Sequence, residues 1–203
     1  MIEQLTIQLE KGGANPTPPL QYFIEPLDYE TAKAFVECWH YSKRMPTGQN
    51  LCFGLRRNGE LYAIIVYGLG VNPYQAQFLK VQRCVEIKRL CRREPKEKYP
   101  LSRFINLTTK MLKKRMAFQA IVAFADPEYN HRGTVYRAAG YQQYKGMTNA
   151  EWHLEDAKGE RRHRRVAFRM ARRNGISIDE ARMQLGMKRV QTLPKYRWVR
   201  MVP

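Results

Sequence analysis

Several features that would place this chain in a common class of protein are missing from its sequence. It has no uninterrupted apolar run of about 18 residues and no charged-then-apolar N-terminal signal, which argues against a membrane span or secretory signal and predicts a cytoplasmic protein. Its four cysteines form no CxxC pair and no regular spacing with histidine. We therefore expect free thiols in a reducing compartment rather than a structural zinc site. No feature of the sequence predicts an oligomeric state.

Acidic residues are scarce, with 18 Asp and Glu against 36 Lys and Arg, so the formal net charge is +18. The excess is uneven: residues 1–100 hold 14 basic and 10 acidic side chains, whereas residues 101–203 hold 22 and 8. A field of this sign attracts polyanions, of which nucleic acid is the most common. We expect double-stranded DNA as the partner and rank an anionic membrane surface below it.

The length of 203 residues and the 44% hydrophobic content suffice for one sizeable core. A proline-rich stretch, NPTPPL, closes the first segment, and the last part of the chain changes composition sharply. The predicted segments are an N-terminal arm or edge strand at 1–20, the main core at 21–156, a basic helical insertion at 157–195 and a final strand returning to the core sheet at 196–203.

Hydrophobic periodicity predicts helices and strands in a mixed order. Asn58 and Gly59 separate two apolar segments, CFGLRR and ELYAIIVYGLG, and Asn-Gly supplies the positive backbone angles of a type I′ hairpin turn. A helix is predicted over 101–116, with Ser102 as its cap. The other predicted elements are a strand at 21–27, a helix at 28–40, a strand at 81–92, a helix at 133–139 and a strand at 141–147. This order predicts an α/β or α+β fold with helices flanking a mixed central sheet.

The segment 117–141, AFQAIVAFADPEYNHRGTVYRAAGY, has the clearest features of a functional site. Its run from Ala120 to Phe124 is continuously apolar, which is typical of a strand buried on both faces of a mostly parallel sheet. Asp126 follows at the carboxyl end, where ligands bind in open α/β sheets. Because Pro127 comes next, Asp126 is equally interpreted as the cap of a short helix.

The basic segment 157–203 holds 14 Lys or Arg and 3 acidic residues. The stretch RRHRRVAFRMARR is predicted to be a basic helix that ends at Asn174 and Gly175. In the next stretch, SIDEARMQLG, Ser177 and Glu180 have the spacing of a capping box. Two short helices joined by a tight turn resemble a helix-turn-helix, and an ordinary helical hairpin with a solvated basic face is the alternative.

Four further side chains are candidates for chemistry. His40 titrates near neutrality, Tyr41 and Tyr136 can donate a proton or stack on a base, and Arg89 can hold a carboxylate or phosphate through two parallel bonds. Each has a structural alternative. A histidine at a helix end is often a capping cation, a tyrosine in a short helix is usually part of the core, and an arginine in an alternating strand can simply be exposed.

Several motifs in one order resemble the Mom family of bacteriophage DNA-modification proteins. They are HYSKRMP at 40–46, FGLRRNGELYAIIVYG, a strand carrying EIKRLC, LSRFI opening a helix, FAD followed by HRGTVYRAAGY, and KGMT. The resemblance covers residues 20–150, with a weaker match at PKYRWV. It implies a relation to GNAT-type N-acyltransferases, and GTVYRAAGY is similar to the short helix whose tyrosine protonates the departing thiolate of coenzyme A.

The resemblance also implies a function. Members of the family convert adenine in DNA to its carbamoylmethyl form at the exocyclic amine, which protects phage DNA from host restriction; the location would then be the host cytoplasm. The resemblance assigns catalytic roles to His40, Tyr41, Asp126 and Tyr136, and a role in holding donor or phosphate to Arg89.

The resemblance implies an acyl-CoA donor, acetyl-CoA in the simplest case, but the loop expected to bind this donor has an unusual sequence. GNAT enzymes cradle its pyrophosphate in a glycine-rich loop before the long helix, but here the loop is CRREPKEKYPLSR and contains no glycine. Arg92, Arg93, Lys96 and the helix start at Ser102 are the expected substitutes. The carbamoylmethyl product requires a further nitrogen-adding step or another donor, and an iron site held by His40 and Asp126 is one alternative.

The predicted DNA contacts are basic side chains near the site and in the C-terminal segment: Lys43, Arg44, Arg161, Arg162, Arg164, Arg165, Arg169, Arg172 and Arg173. Two other functions remain open. One is a GNAT-type N-acetyltransferase acting on a protein or small-molecule amine, and the other is a non-catalytic DNA-binding protein with a GNAT-like core.

Overall fold

The computed structural model describes residues 22–68, 73–93 and 100–202. The predicted N-terminal arm at 1–20 lies outside them. The chain divides into two compact units. The core unit comprises residues up to 124, 133–144 and 197 onward, and the C-terminal unit comprises 125–132 and 145–196. The C-terminal unit includes residues 145–156, which the sequence placed in the main core segment.

The described elements alternate as the mixed pattern predicts. The helices are α1 (Tyr29–Trp39), α2 (Pro73–Leu79), α3 (Leu101–Lys113), α4 (Thr134–Ala138), α5 (Arg165–Asn174) and α6 (Ile178–Gln184). The strands are β1 (Tyr22–Leu27), β2 (Asn50–Arg57), β3 (Glu60–Gly68), β4 (Cys84–Arg92), β5 (Ala120–Ala125), β6 (Gln142–Met147), β7 (Trp152–Glu155), β8 (Arg161–His163), β9 (Lys188–Gln191) and β10 (Tyr196–Met201).

A seven-stranded sheet forms the centre of the fold, in the order β1-β2-β3-β4-β5-β10-β6. The first four strands are antiparallel neighbours, and β4 and β5 run parallel. The hairpin of β2 and β3 turns at Asn58 and Gly59, whose φ angles are 48° and 84°, as the type I′ prediction requires. The mixed sheet flanked by helices confirms the predicted α/β fold, and β10 lies in the segment 196–203 where the sequence predicts a final strand.

Helices cover both faces of this sheet. Neighbouring residues of a strand point to opposite faces, so two successive residues of β3 contact different helices. Val66 packs in a cluster with Phe35 and Val36 of α1. The next residue, Tyr67, donates or accepts a 2.8 Å hydrogen bond with Thr108 of α3 through its hydroxyl. β5 is buried along most of its length, as its continuous apolar run predicts.

The C-terminal unit contains a second sheet that the sequence did not predict, in the order β8-β7-β9. Leu154 of β7 packs with Ala167 and Ala171 of α5 and Ala181 of α6. The unit therefore has its own apolar core between a small sheet and a helical hairpin. Within the described residues, no helix is long and apolar enough to cross a membrane.

The predicted helix over 161–173 is wrong at its start. Residues Arg161–His163 form β8, which pairs antiparallel with β7, and α5 begins at Arg165. A turn explains the difference, because Asp156 Oδ1 accepts the N–H groups of Lys158 and Glu160 and Gly159 has φ 80°. The turn reverses the chain and sets β8 beside β7.

Candidate functional site

Tyr136 is buried in the short helix α4 of the core unit, and its position depends on a glycine. Gly133 caps α4 with φ 77°, and a Cβ added there would lie 1.9 Å from Nε1 of Trp198. The Tyr136 N–H donates to the Gly133 carbonyl at 2.9 Å. At the other end, Arg200 donates to the Ala139 carbonyl at 3.1 Å. Both ends of α4 are thus held against β10.

The surroundings of the Tyr136 hydroxyl disfavour its ionised form. Burial raises its pKa well above the usual range, and the negative charge of Glu86 raises it further. Burial also raises the pKa of Tyr67, to about 12. A phenol holds its proton at neutral pH even without such a shift, so Tyr136 can donate a proton, and the raised pKa makes it a weaker acid than an exposed tyrosine.

His40 and Tyr41 follow α1 and lie against each other, with ring centroids 4.1 Å apart. His40 is buried, whereas Tyr41 is 39% exposed. Nδ1 of His40 accepts the Ser42 N–H at 3.0 Å, so the proton of the neutral ring lies on Nε2. The backbone N–H of His40 caps α1 through Val36, while its ring is anchored by Ser42.

A β-bulge in β4 directs the side chains at the site. Val66 of β3 pairs with Arg89, but the next residue, Tyr67, pairs with Ile87, so Lys88 is the additional residue. An additional residue bends the strand and changes the direction of its side chains. The simple alternation that placed Arg89 on one exposed face of the strand therefore does not hold at this point.

Arg89 and Lys88 hold the loop after α1 against β4. Nε of Arg89 donates to the Arg44 carbonyl at 3.0 Å, and Nζ of Lys88 donates to the Thr47 carbonyl at 2.9 Å. Burial lowers the pKa of Arg89, and the negative charge of Glu86 opposes this effect. The loop carrying the predicted contacts Lys43 and Arg44 is therefore fixed to the strand that carries Arg89.

The two parallel strands of the sheet separate next to these residues. Pairing of β4 with β5 covers Cys84–Ile87 and Ala120–Ala123 and stops there. β4 continues to Arg92, so its second half is not paired with β5. An opening between parallel strands at their carboxyl ends is where ligands bind in open α/β sheets.

Among the predicted donor-binding residues, Ser102 is not the cap of α3. The N-cap is Pro100, which has no N–H to satisfy and makes no capping hydrogen bond through its side chain. The first N–H groups of α3 can therefore face an anion. Arg92 is half-buried, and Arg93 donates to Oε2 of Glu60 at 2.9 Å. The predicted contact Lys96 lies outside the described residues.

Asp126 lies at the end of β5, as predicted, and belongs to the C-terminal unit. Its Oδ1 accepts the Glu128 N–H at 3.1 Å, which caps a single 3-10 turn at Pro127–Tyr129. Its Oδ2 lies 2.9 Å from Nζ of Lys195. The capping interpretation is confirmed, and the carboxylate is also ion-paired while only 6% exposed.

The predicted iron site at His40 and Asp126 receives no support. Within residues 22–68, 73–93 and 100–202, one group of His, Cys, Asp or Glu brings at least three possible ligand atoms together. It consists of Glu151, His153 and His163 and includes neither predicted ligand. Both oxygens of Asp126 are already engaged, so a metal there would have to displace Lys195.

The predicted DNA-contacting arginines divide into two sets. The positive charge of Arg161 is compensated by two ion pairs, since its guanidinium lies 2.6 Å from Glu128 and 3.0 Å from Glu155. By contrast, α5 presents a face of exposed arginines that form no ion pair with the described carboxylates: Arg165, Arg169, Arg172 and Arg173. Arg162 is also exposed, and Arg164 lies 5.9 Å from the Trp152 ring.

Sequence reasoning missed Glu86 and Tyr67, which lie near the predicted site residues. The charge of Glu86 acts on both Tyr136 and Arg89. Glu86 stands in the EIKRLC strand, where a half-buried carboxylate among apolar residues was the available signal. Tyr67 stands in a continuous apolar strand, and no sequence signal indicated its role, because its hydroxyl contacts Thr108 only in the folded chain.

The fold has solved relatives among GNAT acetyltransferases. Arabidopsis thaliana NAA60, solved in complex with acetyl-CoA, superposes with a TM-score of 0.54 at 11% identity, covering 89% of this chain and 98% of that one. An IAA acetyltransferase from Bacillus cereus gives 0.51 at 8% identity, covering 89% and 99%. The ribosomal-protein alanine N-acetyltransferase of Escherichia coli gives 0.50 at 11%, covering 89% and 94%.

These similarities are structural, and at such low identity they show a shared fold. No curated protein matches the chain by sequence. The Mom protein family, however, matches residues 21–203 and so covers both compact units. The chain thus belongs to the Mom protein family, on a GNAT acetyltransferase fold.

Proposed function

We propose that this protein modifies adenine in double-stranded DNA, transferring an acyl-derived group from acyl-CoA to the exocyclic amine and so protecting phage DNA from restriction. The observation that supports it most is the buried hydroxyl of Tyr136 on α4, in a chain of the Mom protein family. Transfer to an amine requires a proton donor for the leaving thiolate, and Tyr136 is the proposed donor.

The opening between β4 and β5 is the proposed place for the donor. The uncapped start of α3 offers N–H groups to the anionic part of acyl-CoA, and Arg92 adds a positive charge near that end of β4. This arrangement replaces the missing glycine-rich loop. Acyl-CoA supplies the activated carbonyl, and the structurally similar Arabidopsis thaliana NAA60 was solved in complex with acetyl-CoA.

The side chains have distinct proposed roles in acyl transfer. The adenine amine attacks the thioester carbonyl, the carbon–sulfur bond breaks, and Tyr136 gives its proton to the thiolate. Glu86 is the proposed base that takes a proton from the attacking amine, and Arg89 holds the loop that carries His40 and Tyr41. A carbamoylmethyl product carries one more nitrogen than an acetyl product and is attached through its methylene carbon, so acetyl transfer alone does not form it, and a further step or another donor is required.

DNA binding is proposed for the exposed arginine face of α5. Arginine forks suit phosphate oxygens and base edges, and four of them follow one another along this helix face. Because an exocyclic amine inside a duplex cannot reach a buried site, the adenine must leave the base stack. Asp126 retains its proposed role of orienting that amine, and Asp126→Asn tests it.

The decisive experiment is mass analysis of nucleosides from DNA of cells that express the protein, in a host that supplies the donor. We expect a modified deoxyadenosine with the wild-type chain and its loss with Tyr136→Phe. If the wild-type chain leaves deoxyadenosine unmodified, the proposal is wrong. Modification that persists in Tyr136→Phe at the wild-type level would remove Tyr136 from the mechanism.

A second candidate function follows from the structurally similar proteins, which include a ribosomal-protein alanine N-acetyltransferase and an agmatine N-acetyltransferase. It is N-acetylation of a protein or small-molecule amine. This activity predicts coenzyme A release with an amine acceptor in the absence of DNA. The DNA-modifying activity predicts coenzyme A release only when DNA is present. One thiol-release assay with and without duplex DNA therefore separates the two functions.

A further inference from the structure

The small sheet of the C-terminal unit has one apolar face and one titratable face. Trp152 and Leu154 of β7 pack into the cluster formed with α5 and α6. Because side chains alternate along a strand, Glu151 and His153 belong to the opposite face. This face carries the polar groups that the proposed transfer reaction does not use.

A second histidine lies directly opposite the first. His153 of β7 pairs with His163 of β8 in the antiparallel register, and their ring centroids are 5.4 Å apart. One ligand atom each from Glu151, His153 and His163 lie within 4.8 Å of one another. Two imidazoles and a carboxylate at this spacing need only small side-chain rotations to share one ion.

The backbone around the three side chains is held in place. The Glu151 carbonyl accepts the N–H of Thr192 at 2.7 Å and its hydroxyl at 3.0 Å. The ladder between β7 and β8 fixes the two histidines relative to each other. A site of this kind is built on strands, which hold ligands more precisely than loops do.

From this geometry we infer that Glu151, His153 and His163 bind a divalent transition-metal ion of the zinc class that links β7 to β8. Zinc accepts three protein ligands of this kind, with water in the fourth position. Imidazole also suits cobalt and nickel, so these ions serve as probes. The site is distinct from the predicted pair His40 and Asp126.

The ring orientation of His163 also favours the inference. Nδ1 of His163 accepts the Arg165 N–H at 3.1 Å, so coordination through Nε2 leaves that hydrogen bond in place.

The basic surroundings do not prevent binding, because several cations of this unit already have partners. Lys195 is paired with Asp126, Arg161 with Glu128 and Glu155, and Lys188 also with Glu155. The Glu151 carboxylate supplies negative charge to the ion itself. A metal here would fix the β7–β8 hairpin, which leads directly into the arginine helix α5.

The test is a titration of the full-length, chelator-treated protein with Zn²⁺ by calorimetry and with Co²⁺ by visible absorption. We expect one ion per chain and the intense bands of low-coordinate cobalt with nitrogen ligands. His153→Gln and His163→Gln are expected to weaken binding by at least about tenfold to a hundredfold. Glu151→Gln should weaken it as well, while circular dichroism verifies that each variant is folded.

His131→Gln is the matched control, because His131 belongs to the same unit but not to the ligand group. It is expected to bind as tightly as the wild type. The inference is overturned if the folded wild-type protein binds no ion. It is equally overturned if binding survives in His153→Gln and His163→Gln and is lost in Cys38→Ser, which would place the ion on the exposed thiol.

Discussion

The core unit and the C-terminal unit use polar side chains in opposite ways. In the core unit, the site hydroxyls of Tyr67 and Tyr136 are buried, and burial raises the pKa of each. In the C-terminal unit, the arginines of β8 and α5 lie at the surface, either paired, as Arg161 is with Glu155, or without an ion pair to any described carboxylate, as along α5. Burial in the core unit changes the pKa of single hydroxyl groups. The surface charges of the C-terminal unit create an electrostatic field.

This difference predicts two kinds of sensitivity. A buried hydroxyl is shielded from solvent, so its contribution depends on position within a fraction of an ångström and responds little to salt. Exposed charges are screened, with a Debye length of about 8 Å at physiological ionic strength. Mutations in the two units should therefore separate chemistry from DNA affinity.

The largest effect is expected from Tyr136→Phe, which removes one buried hydroxyl from the core unit. The turnover number should fall by about 10²–10⁴-fold, the usual contribution of a general acid, while DNA affinity stays unchanged. Single-turnover kinetics and a DNA-binding isotherm measure the two quantities. Tyr141→Phe, the same change at another buried tyrosine, is the control and should retain activity. Equal losses in both variants would contradict the role of Tyr136.

A second prediction concerns the support of α4. Gly133→Ala places a Cβ 1.9 Å from the Trp198 ring, on a residue whose backbone φ is 77°. The strained backbone and the steric clash together should lower the free energy of unfolding by about 2–5 kcal/mol. Gly140→Ala has φ 83° but meets no atom within 4 Å, so it should cost about 1–2 kcal/mol from backbone strain alone. Denaturant titration measures both, and equal costs would show that Trp198 can move aside.

The smallest effect is expected from the double change Arg169→Gln and Arg173→Gln on α5. DNA affinity should fall, and the slope of log affinity against log salt should decrease by about one for each phosphate that the variant no longer neutralises. The turnover number with saturating DNA should not change. Lys110→Gln with Lys113→Gln removes two exposed charges from α3 in the core unit as a control. An unchanged salt slope in the α5 variant would exclude this helix from the DNA interface.

The predictable parts of the fold were those encoded by neighbouring residues. Asn58 and Gly59 specify their hairpin turn by themselves, and Ser177 with Glu180 forms the predicted capping box at the start of α6. The unpredicted sheet of the C-terminal unit depends instead on pairing between distant strands. The turn at Asp156–Gly159 was its local signal, but the helical periodicity of the arginine-rich stretch obscured it.

The candidate site shows the same limit. Motif similarity identified His40, Tyr41, Arg89 and Tyr136, and all four belong to the core unit. The role of Arg89 in holding the loop after α1 depends on the bulge at Lys88, which no local sequence pattern predicts. Sequence reasoning also left Asp126 as either a site residue or a cap. Its ion-pair partner, Lys195, is 69 positions away along the chain, so only folding reveals the pair.

The sequence by itself determined the mixed α/β order, the strand at 120–125, the capped helix α6 and the basic character of the chain, because each depends on composition or on residues within one turn. Only the tertiary structure decided that burial raises the pKa of Tyr136, that the charge of Arg161 is compensated by two carboxylates while the α5 arginines remain exposed, and that His153 faces His163. Burial, ion pairing and strand register join residues far apart in the chain, and their energies exist only once the chain is folded.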